Sequence, residues 1–280
     1  AAGTHEGGVQ GTNDGIDHKV LTRIGTDNDW ADMACSRFWG YSGFAIKTNG
    51  TLWAWGKNSA GQLGIGNTQA QTAPVQVGAD MDWKQVAAGC SSVLALKTDG
   101  SLWGWGFNMY SELFGHEGKQ LSPVRLGSET DWEQVVVIDF RAYAVKKDGT
   151  LWAWGDNANN LLGFNTPTEE ETTAEGNPVE VVTVPQITAP THVTSIEGKV
   201  LTISGCENTL SVATGTDGVI EKVWMLGSNT DGALGDGKGL GNGNKDIPFA
   251  KVPVHPSLKS SLKFAGMSSG QNYTVMLTTD

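Results

Sequence analysis

The sequence predicts an all-β protein of the propeller class, and three observations predict it. A phrase is written three times: Thr51-Leu52-Trp53-Ala54-Trp55-Gly56, Ser101-Leu102-Trp103-Gly104-Trp105-Gly106 and Thr150-Leu151-Trp152-Ala153-Trp154-Gly155. Its spacing is 50 residues from Trp53 to Trp103 and 49 from Trp103 to Trp152, the length of a propeller blade. With 38 glycines, 11 tryptophans and 18% charged residues, the 280-residue chain is rich in turns and poor in helix-period patterns, because glycine supplies the positive φ of tight hairpins.

Each element of the repeat follows from its local pattern. Asp82-Trp83-Lys84-Gln85-Val86-Ala87-Ala88-Gly89 is an alternating strand that sets Trp83 and Lys84 on opposite faces. Val93-Leu94-Ala95-Leu96-Lys97 is the second strand, Thr98-Asp99-Gly100 the turn, and Ser101 to Trp105 the returning strand. Asp-Gly between two apolar strands is a strong hairpin signal. Trp103 and Trp105 share a face, each able to bury on the order of 200 Å², and their recurrence reads as core cementing one sheet to the next. A Gly-rich loop, Gly56 to Gly66, leads to a Pro-led outer strand, Pro74-Val75-Gln76-Val77, where a missing N–H costs nothing at a sheet edge.

The units follow in order. Hairpins run from Phe44 to Trp55, Val93 to Trp105 and Ala142 to Trp154. A divergent fourth has Thr209 to Ala213, a turn at Thr216-Asp217-Gly218, and a return over Val223-Trp224-Met225-Leu226-Gly227, with Leu226 in place of the second Trp. A fifth opens at Tyr273 and reaches Asp280. At the front, Gly3, Gly8 and Gly11 repeat the spacing of Gly56, Gly61 and Gly64, and His18 to Gly25 reads as an outer strand before Asp29-Trp30.

One domain over 1–280 therefore holds about five units, near 1–35, 36–88, 89–137, 138–204 and 205–280. The series opens after one Trp strand and closes before another. It is expected to be part of a longer propeller, or a five-unit ring whose two ends share one blade. An open arc would expose strand edges that invite a partner, so an open ring implies an oligomer or an assembly. The start, Ala1-Ala2-Gly3-Thr4-His5, has neither Met nor a signal-peptide apolar core, so a processed or truncated start is expected. An acidic insertion at 164–192, including Glu169, Glu170 and Glu171, surrounds an outer strand near Pro178 to Val184, and a Gly-rich insertion spans 237–246.

Gln85-Val86-Ala87-Ala88-Gly89, Leu94-Ala95-Leu96-Lys97-Thr98-Asp99-Gly100, and Trp55-Gly56-Lys57-Asn58 followed by Gly61-Gln62-Leu63-Gly64 resemble the RCC1 repeat family. The match is strong over roughly 30–163 and fades toward Asp280. The resemblance implies seven-bladed propellers of about 50 residues per blade, against about five units here. It also implies an exchange factor for a small nuclear GTPase that docks on chromatin, as in the founding member. The usual His before the Ala-Leu strand is missing, with Ser92, Arg141 and Asn208 near that place. The inserted wedge of the exchange factors has no match, and one fold hosts many functions. The Asp-Trp opening and the Trp phrase are similar to bacterial and phage versions of the repeat.

Charge and motifs narrow the function classes. A net charge of −11 disfavours nucleic acid, which calls for a basic face, and no apolar run approaches a membrane span. Cys35, Cys90 and Cys206 fall at similar points of different units, so free, half-buried thiols are expected rather than disulfides. The five histidines, His5, His18, His116, His192 and His255, are scattered and form no catalytic or metal set. Asn13 to Asp17, Asp27 to Asp29 and Asn229 to Asp236 offer oxygen ligands without EF-hand spacing, and Asp and Asn favour turns in any case. Asn49 and Asn272 meet the glycosylation pattern by chance, and the Glu169 to Glu171 run reads as a solvated loop.

No catalytic, cofactor-binding or metal residue is assigned, and no cofactor is expected. The expected function is a non-enzymatic scaffold that binds protein partners through rim loops, in a bacterial surface assembly or phage particle, outside the cytoplasm. The alternatives are a GTPase exchange factor and a glycan-binding propeller, the latter favoured by rim aromatics such as Tyr110 and Phe114 but lacking a carboxylate pair.

Overall fold

A computed structural model of the chain describes residues 8–36, 41–163, 170–172, 178–180, 186–206, 209–227, 247–252, 263–270 and 273–279. Small and large residues alternate on each hairpin, and this sets the sheets. The first sheet orders β1 (Trp30–Cys35), β2 (Ser42–Lys47), β3 (Leu52–Gly56) and β4 (Gln71–Gln76) side by side. The second repeats it with β5 (Trp83–Ala88), β6 (Ser92–Lys97), β7 (Leu102–Asn108) and β8 (Gly118–Arg125). In the third, β9 (Trp132–Ile138), β10 (Arg141–Lys146) and β11 (Leu151–Asp156) are followed by a two-stranded ribbon, β12 (Glu170–Thr172) with β13 (Pro178–Glu180). The chain then returns to β11 as β14 (Gln186–His192). The fourth sheet holds β15 (Val200–Cys206), β16 (Thr209–Thr216), β17 (Val219–Gly227) and β18 (Ile247–Val252). A last hairpin, β19 (Lys263–Gly270) and β20 (Tyr273–Thr279), meets β17 through one pair, Val219 with Lys263.

Register explains the composition of the hairpins. Trp53 and Trp55 face Ala45 and Gly43, Trp103 and Trp105 face Ala95 and Val93, and Trp152 and Trp154 face Ala144 and Ala142. A Cβ on Gly43 would lie 2.4 Å from the Trp55 ring, so the indole takes the room that a side chain would need. The core sits between sheets rather than within one. Phe44 and Leu52 of the first sheet pack with Trp83, Val86 and Trp105 of the second. Leu96 and Leu102 pack with Trp132, Val135 and Trp154, and Tyr143 and Leu151 with Val200, Val212 and Leu226.

The innermost strands β1, β5, β9, β15 and β19 lie beside one another in that order, as blades do around a propeller axis. Between them is a cavity of about 270 Å³ whose walls include Asp32, Cys35, Val86, Val137 and Ser204.

Three expectations are corrected. The third outer strand is Gln186–His192, not Pro178 to Val184, because Trp152 pairs with His192 as Trp53 pairs with Gln76. Pro178 belongs to the ribbon. The stretch from His18 to Gly25 forms no strand beyond a one-residue bridge at His18, since no Trp strand of the described residues lies beside it to share hydrogen bonds. Pro74 sits inside β4 rather than leading it, at a bulge between the Ala54 and Gly56 pairings, where an edge strand tolerates a missing donor. Gly3 and the 237–246 insertion lie outside the described residues, as do Glu169, Asn208, Asn272 and the turn from Asn229 to Asp236.

Candidate interaction face

The two ends of each blade do different work. At the hairpin-turn end, the first Trp of the phrase is not simply core. Lys97 Nζ lies 5.0 Å from the Trp83 ring centre and 4.5 Å from that of Trp103, whose rings meet edge to face at 6.0 Å. The same nitrogen reaches Asp80 at 2.7 Å and Asp82 at 3.1 Å. Lys47 repeats this with Trp30, Trp53, Asp27 and Asp29, and Lys146 with Trp132, Trp152, Glu129 and Asp131. Burial alone would lower the Lys97 and Lys146 ammonium groups, yet hydrogen bonds to the paired carboxylates outweigh it and both are raised. The carboxylates that read as turn formers or calcium ligands at Asp27 to Asp29 are therefore ion-pair partners of a stacked lysine.

This end also carries a forward clamp. The turn glycine of each hairpin offers its carbonyl to the opening amide of the next blade: Trp83 N to Gly50 O at 3.1 Å, Trp132 N to Gly100 O at 3.2 Å, and Val200 N to Gly149 O at 2.9 Å.

The loop end carries a backward one. The second Trp donates its indole N–H to the loop of the preceding unit, Trp105 Nε1 to Gln62 O, Trp154 Nε1 to Glu112 O and Trp55 Nε1 to Val9 O, each at 2.8 Å. Gly8 and Gly11, with φ of 76° and 68°, reproduce Gly61 and Gly64, at 77° and 70°, as their spacing implies. Each loop is held by an asparagine, buried in the first and third units and half-buried in the second. Asn58 Oδ1 accepts the Leu63 amide at 2.9 Å while its Nδ2 donates to Asn67 O and Gln69 O. Asn108 and Asn157 accept the Leu113 and Leu162 amides in the same way.

Near the axis a third series runs blade to blade. Asp32 accepts the Val86 amide at 3.3 Å, Gln85 that of Val135 at 2.9 Å, and Gln134 that of Ile203 at 3.3 Å. Burial raises the Asp32 carboxyl above the usual range.

Against this regularity the second-unit loop stands out. Where the first unit has Gly61-Gln62-Leu63-Gly64, the second has Ser111-Glu112-Leu113-Phe114. Ser111 keeps the glycine's left-handed conformation at φ 67°, a strained choice for a residue with a Cβ. Phe114 turns edge-on to Trp154 at 5.5 Å, and Tyr110 packs against Phe140 at 4.8 Å. Met109 is 45% exposed. A cavity of about 430 Å³ opens here, lined by Met109, Phe114, His116, Glu117 and Thr188.

The same loop and the blade junction behind it hold several titratable groups. Glu112 is fully buried, its Oε2 accepting the Tyr110 amide at 2.8 Å and its Oε1 lying 3.5 Å from the Ser92 hydroxyl. Arg141 reaches Asp139 at 3.6 Å and Asp156 at 4.0 Å. The Cys90 thiol meets Asp139 Oδ1 at 3.6 Å, and burial followed by the charge of Asp139 pushes it up to about 12, so it stays an unreactive thiol. Cys35 is exposed rather than half-buried, at the end of an alternating strand and on the wall of the cavity between the innermost strands. Tyr110, Phe114 and His116 thus come together on the loop end. His18 pairs instead with Asp14 at 2.8 Å and His192 stacks on Trp152, while His5 and His255 lie outside the described residues. Among the described residues no three His, Cys, Asp or Glu side chains group as metal ligands. Met109 and Glu112 escaped the sequence reading, although their departure from the first unit's wording was visible, and Arg141 was noted there only as standing near the place of the missing His.

The comparisons agree with this architecture. The model of the regulator of chromosome condensation (RCC1) repeat matches residues 49–96. The fold is the RCC1-repeat propeller. Human WBSCR16 superposes with a TM-score of 0.74 at 18% identity, over 100% of this chain and 67% of that one. Yeast RCC1 (Prp20), solved with Kap60 bound to it, gives 0.72 at 15%, over 95% and 58%. Prp20p from Saccharomyces cerevisiae, described with its binding properties to Gsp1p and histones, gives 0.60 at 18%, over 84% and 53%. The chain therefore spans between about half and two thirds of the RCC1-type chains that it resembles. No curated protein matches it by sequence.

Proposed function

We propose that this chain is a non-enzymatic interaction module that grips a protein partner with the loop end of its second and third blades. The observation that carries the reading is the divergent second-unit loop. A rigid repeat framework there presents an exposed methionine, a phenylalanine and a histidine around a cavity of about 430 Å³, while the equivalent first-unit loop keeps its glycines. Rigid scaffolds place binding on such loops, and an exposed Met beside aromatic rings suits an apolar anchor from a partner. Kap60, Gsp1p and histones, the proteins named with yeast Prp20, support a protein as the kind of ligand. A bacterial surface or phage setting, outside the cytoplasm, belongs to the same proposal and rests on the wording of the repeats.

Panning a random peptide library on the purified chain tests this. Selected peptides should carry an apolar anchor and lose at least tenfold in affinity against Met109→Asp, but not against Lys84→Ala at the other end of the blade. Peptides indifferent to Met109→Asp, or no enrichment at all, would overturn the assignment. Accelerated nucleotide release from a purified small GTPase would favour the exchange-factor reading instead.

A further inference from the structure

The second-unit loop holds a carboxyl group where its sister loop holds an amide. Gln62 closes the first loop as a neutral cap, its Oε1 accepting the Ala60 amide at 2.9 Å. Glu112 closes the second with the same bond to the Tyr110 amide, at 2.8 Å, and none of its surface meets solvent. The groups around it are the amides of Tyr110, Met109 and Glu112 itself and the Ser92 hydroxyl on β6, which favour the charged form, and the Cys90 thiol before β6, which also meets the charges of Asp139 and Arg141 around the start of β10. Arg141 is the cation of that cluster, and two other carboxylates already draw on it, Asp139 at 3.6 Å and Asp156 at 4.0 Å. His116, in the same loop, is turned to the Arg125 carbonyl at 3.2 Å. An ionised Glu112 would hold its charge away from water, next to the Cys90 thiol that already meets Asp139.

We propose that the second-unit loop is a proton-operated latch, closed while Glu112 holds a proton inside the blade junction and loosened when that proton leaves. Burial raises this carboxyl group from 4.5 to about 7, which sets the working range. The sign follows from linkage: the closed loop binds the proton more tightly than the open one, so closure weakens as pH rises from about 4.5 to about 7 and levels off above that. The ratio of closed to open loop falls by up to roughly 300-fold over the interval. Met109, Phe114 and His116 line the cavity on this loop, so the latch governs that cavity whatever binds there.

Amide hydrogen exchange, corrected for intrinsic base catalysis, reads the latch directly. Protection of the Tyr110 and Leu113 amides should fall more than 30-fold from pH 5 to pH 8, while that of Leu63 stays level. Glu112→Gln should flatten the second loop, and Gln62→Glu should carry the dependence into the first. Level protection in the natural chain, or a slope that survives Glu112→Gln, would overturn the latch. Should the variants fail to fold, a carbon-13 titration of the Glu112 carboxyl in the natural chain decides: a midpoint near 7 supports the proposal and one below 5.5 sinks it.

Discussion

Replacing Trp105 with leucine, the residue that the fourth unit carries at the matching position as Leu226, measures what the second Trp of the phrase contributes. Trp105 is fully buried, meets Phe44 at 6.4 Å and Trp83 at 6.0 Å, and donates to the Gln62 carbonyl at 2.8 Å. The shorter side chain gives up on the order of 80 Å² of buried surface, about 2 kcal/mol at 25 cal/mol per Å². Two edge-on ring contacts are lost, ~0.5 kcal/mol or more each, and an acceptor inside the blade junction is stranded, about 1 kcal/mol or more. The expected loss is therefore about 4 kcal/mol. Urea unfolding followed by far-ultraviolet circular dichroism should show the midpoint falling by about 2 M for a slope of about 2 kcal/mol per M. Trp105→Phe, which keeps a ring but removes the donor, should cost about half as much. A loss below ~1.5 kcal/mol for the leucine variant would refute the argument that these indoles bind one blade to the next.

Three further expectations test other parts of the architecture. Lys97→Met leaves Asp80 and Asp82 facing each other beneath two unsupported indoles and should cost about 1–2 kcal/mol in chemical denaturation. Because Lys97 is raised in the fold, its contribution in the natural chain should persist through neutral pH and disappear above about 10.5, a decline absent from the variant. Asn58→Ala removes three hydrogen bonds from a side chain with no exposed surface and should lower stability by about 3 kcal/mol in a thermal melt. Iodoacetamide at pH 8, followed by peptide mass mapping, should modify Cys35 at least about 100-fold faster than Cys90 in the folded chain, with the difference vanishing in denaturant.

Strands were legible wherever two neighbours share a face. Trp103 and Trp105 with Val93 and Ala95 write a period of two that no other element would write. The third outer strand was misplaced because an edge strand has one hydrogen-bonded neighbour and little apolar period to betray it. Pro178-Val179-Glu180-Val181 mimics Pro74-Val75-Gln76-Val77, yet Ala189-Pro190-Thr191-His192-Val193 is the true counterpart, identified by the pairing of His192 with Trp152. The stacked lysines were present in the text as an acid, a second acid, a Trp and, fourteen or more residues on, a Lys, in three units. Their meaning depends on a hairpin folding back over that distance. Glu112 was the least visible, since its burial comes from two blades closing over a loop that in isolation reads as polar and solvent-facing. The expectation of free, half-buried thiols matched the free state of Cys35 and Cys90 but not their burial, since Cys90 is buried and Cys35 exposed on the inner cavity, a difference set by how the neighbouring strands close over each.

The paired clamps give the series a direction of strength. A blade with both its turn carbonyl and its indole engaged is tied to the neighbour on either side, so disorder entering it must break two joints at once, as in a chain of coupled repeats. The first, second and third blades meet that condition. At the fourth the second indole has given way to Leu226 and the opening Trp to Val200, so this blade keeps the Val200 to Gly149 bond, the Gln134 bonds to Ile203 and Leu201 and the shared core, but has no backward indole clamp. Strain crossing the blades therefore meets one polar tie fewer at the Gly149 to Val200 seam than at the seam before it, where the turn carbonyl and the indole both act.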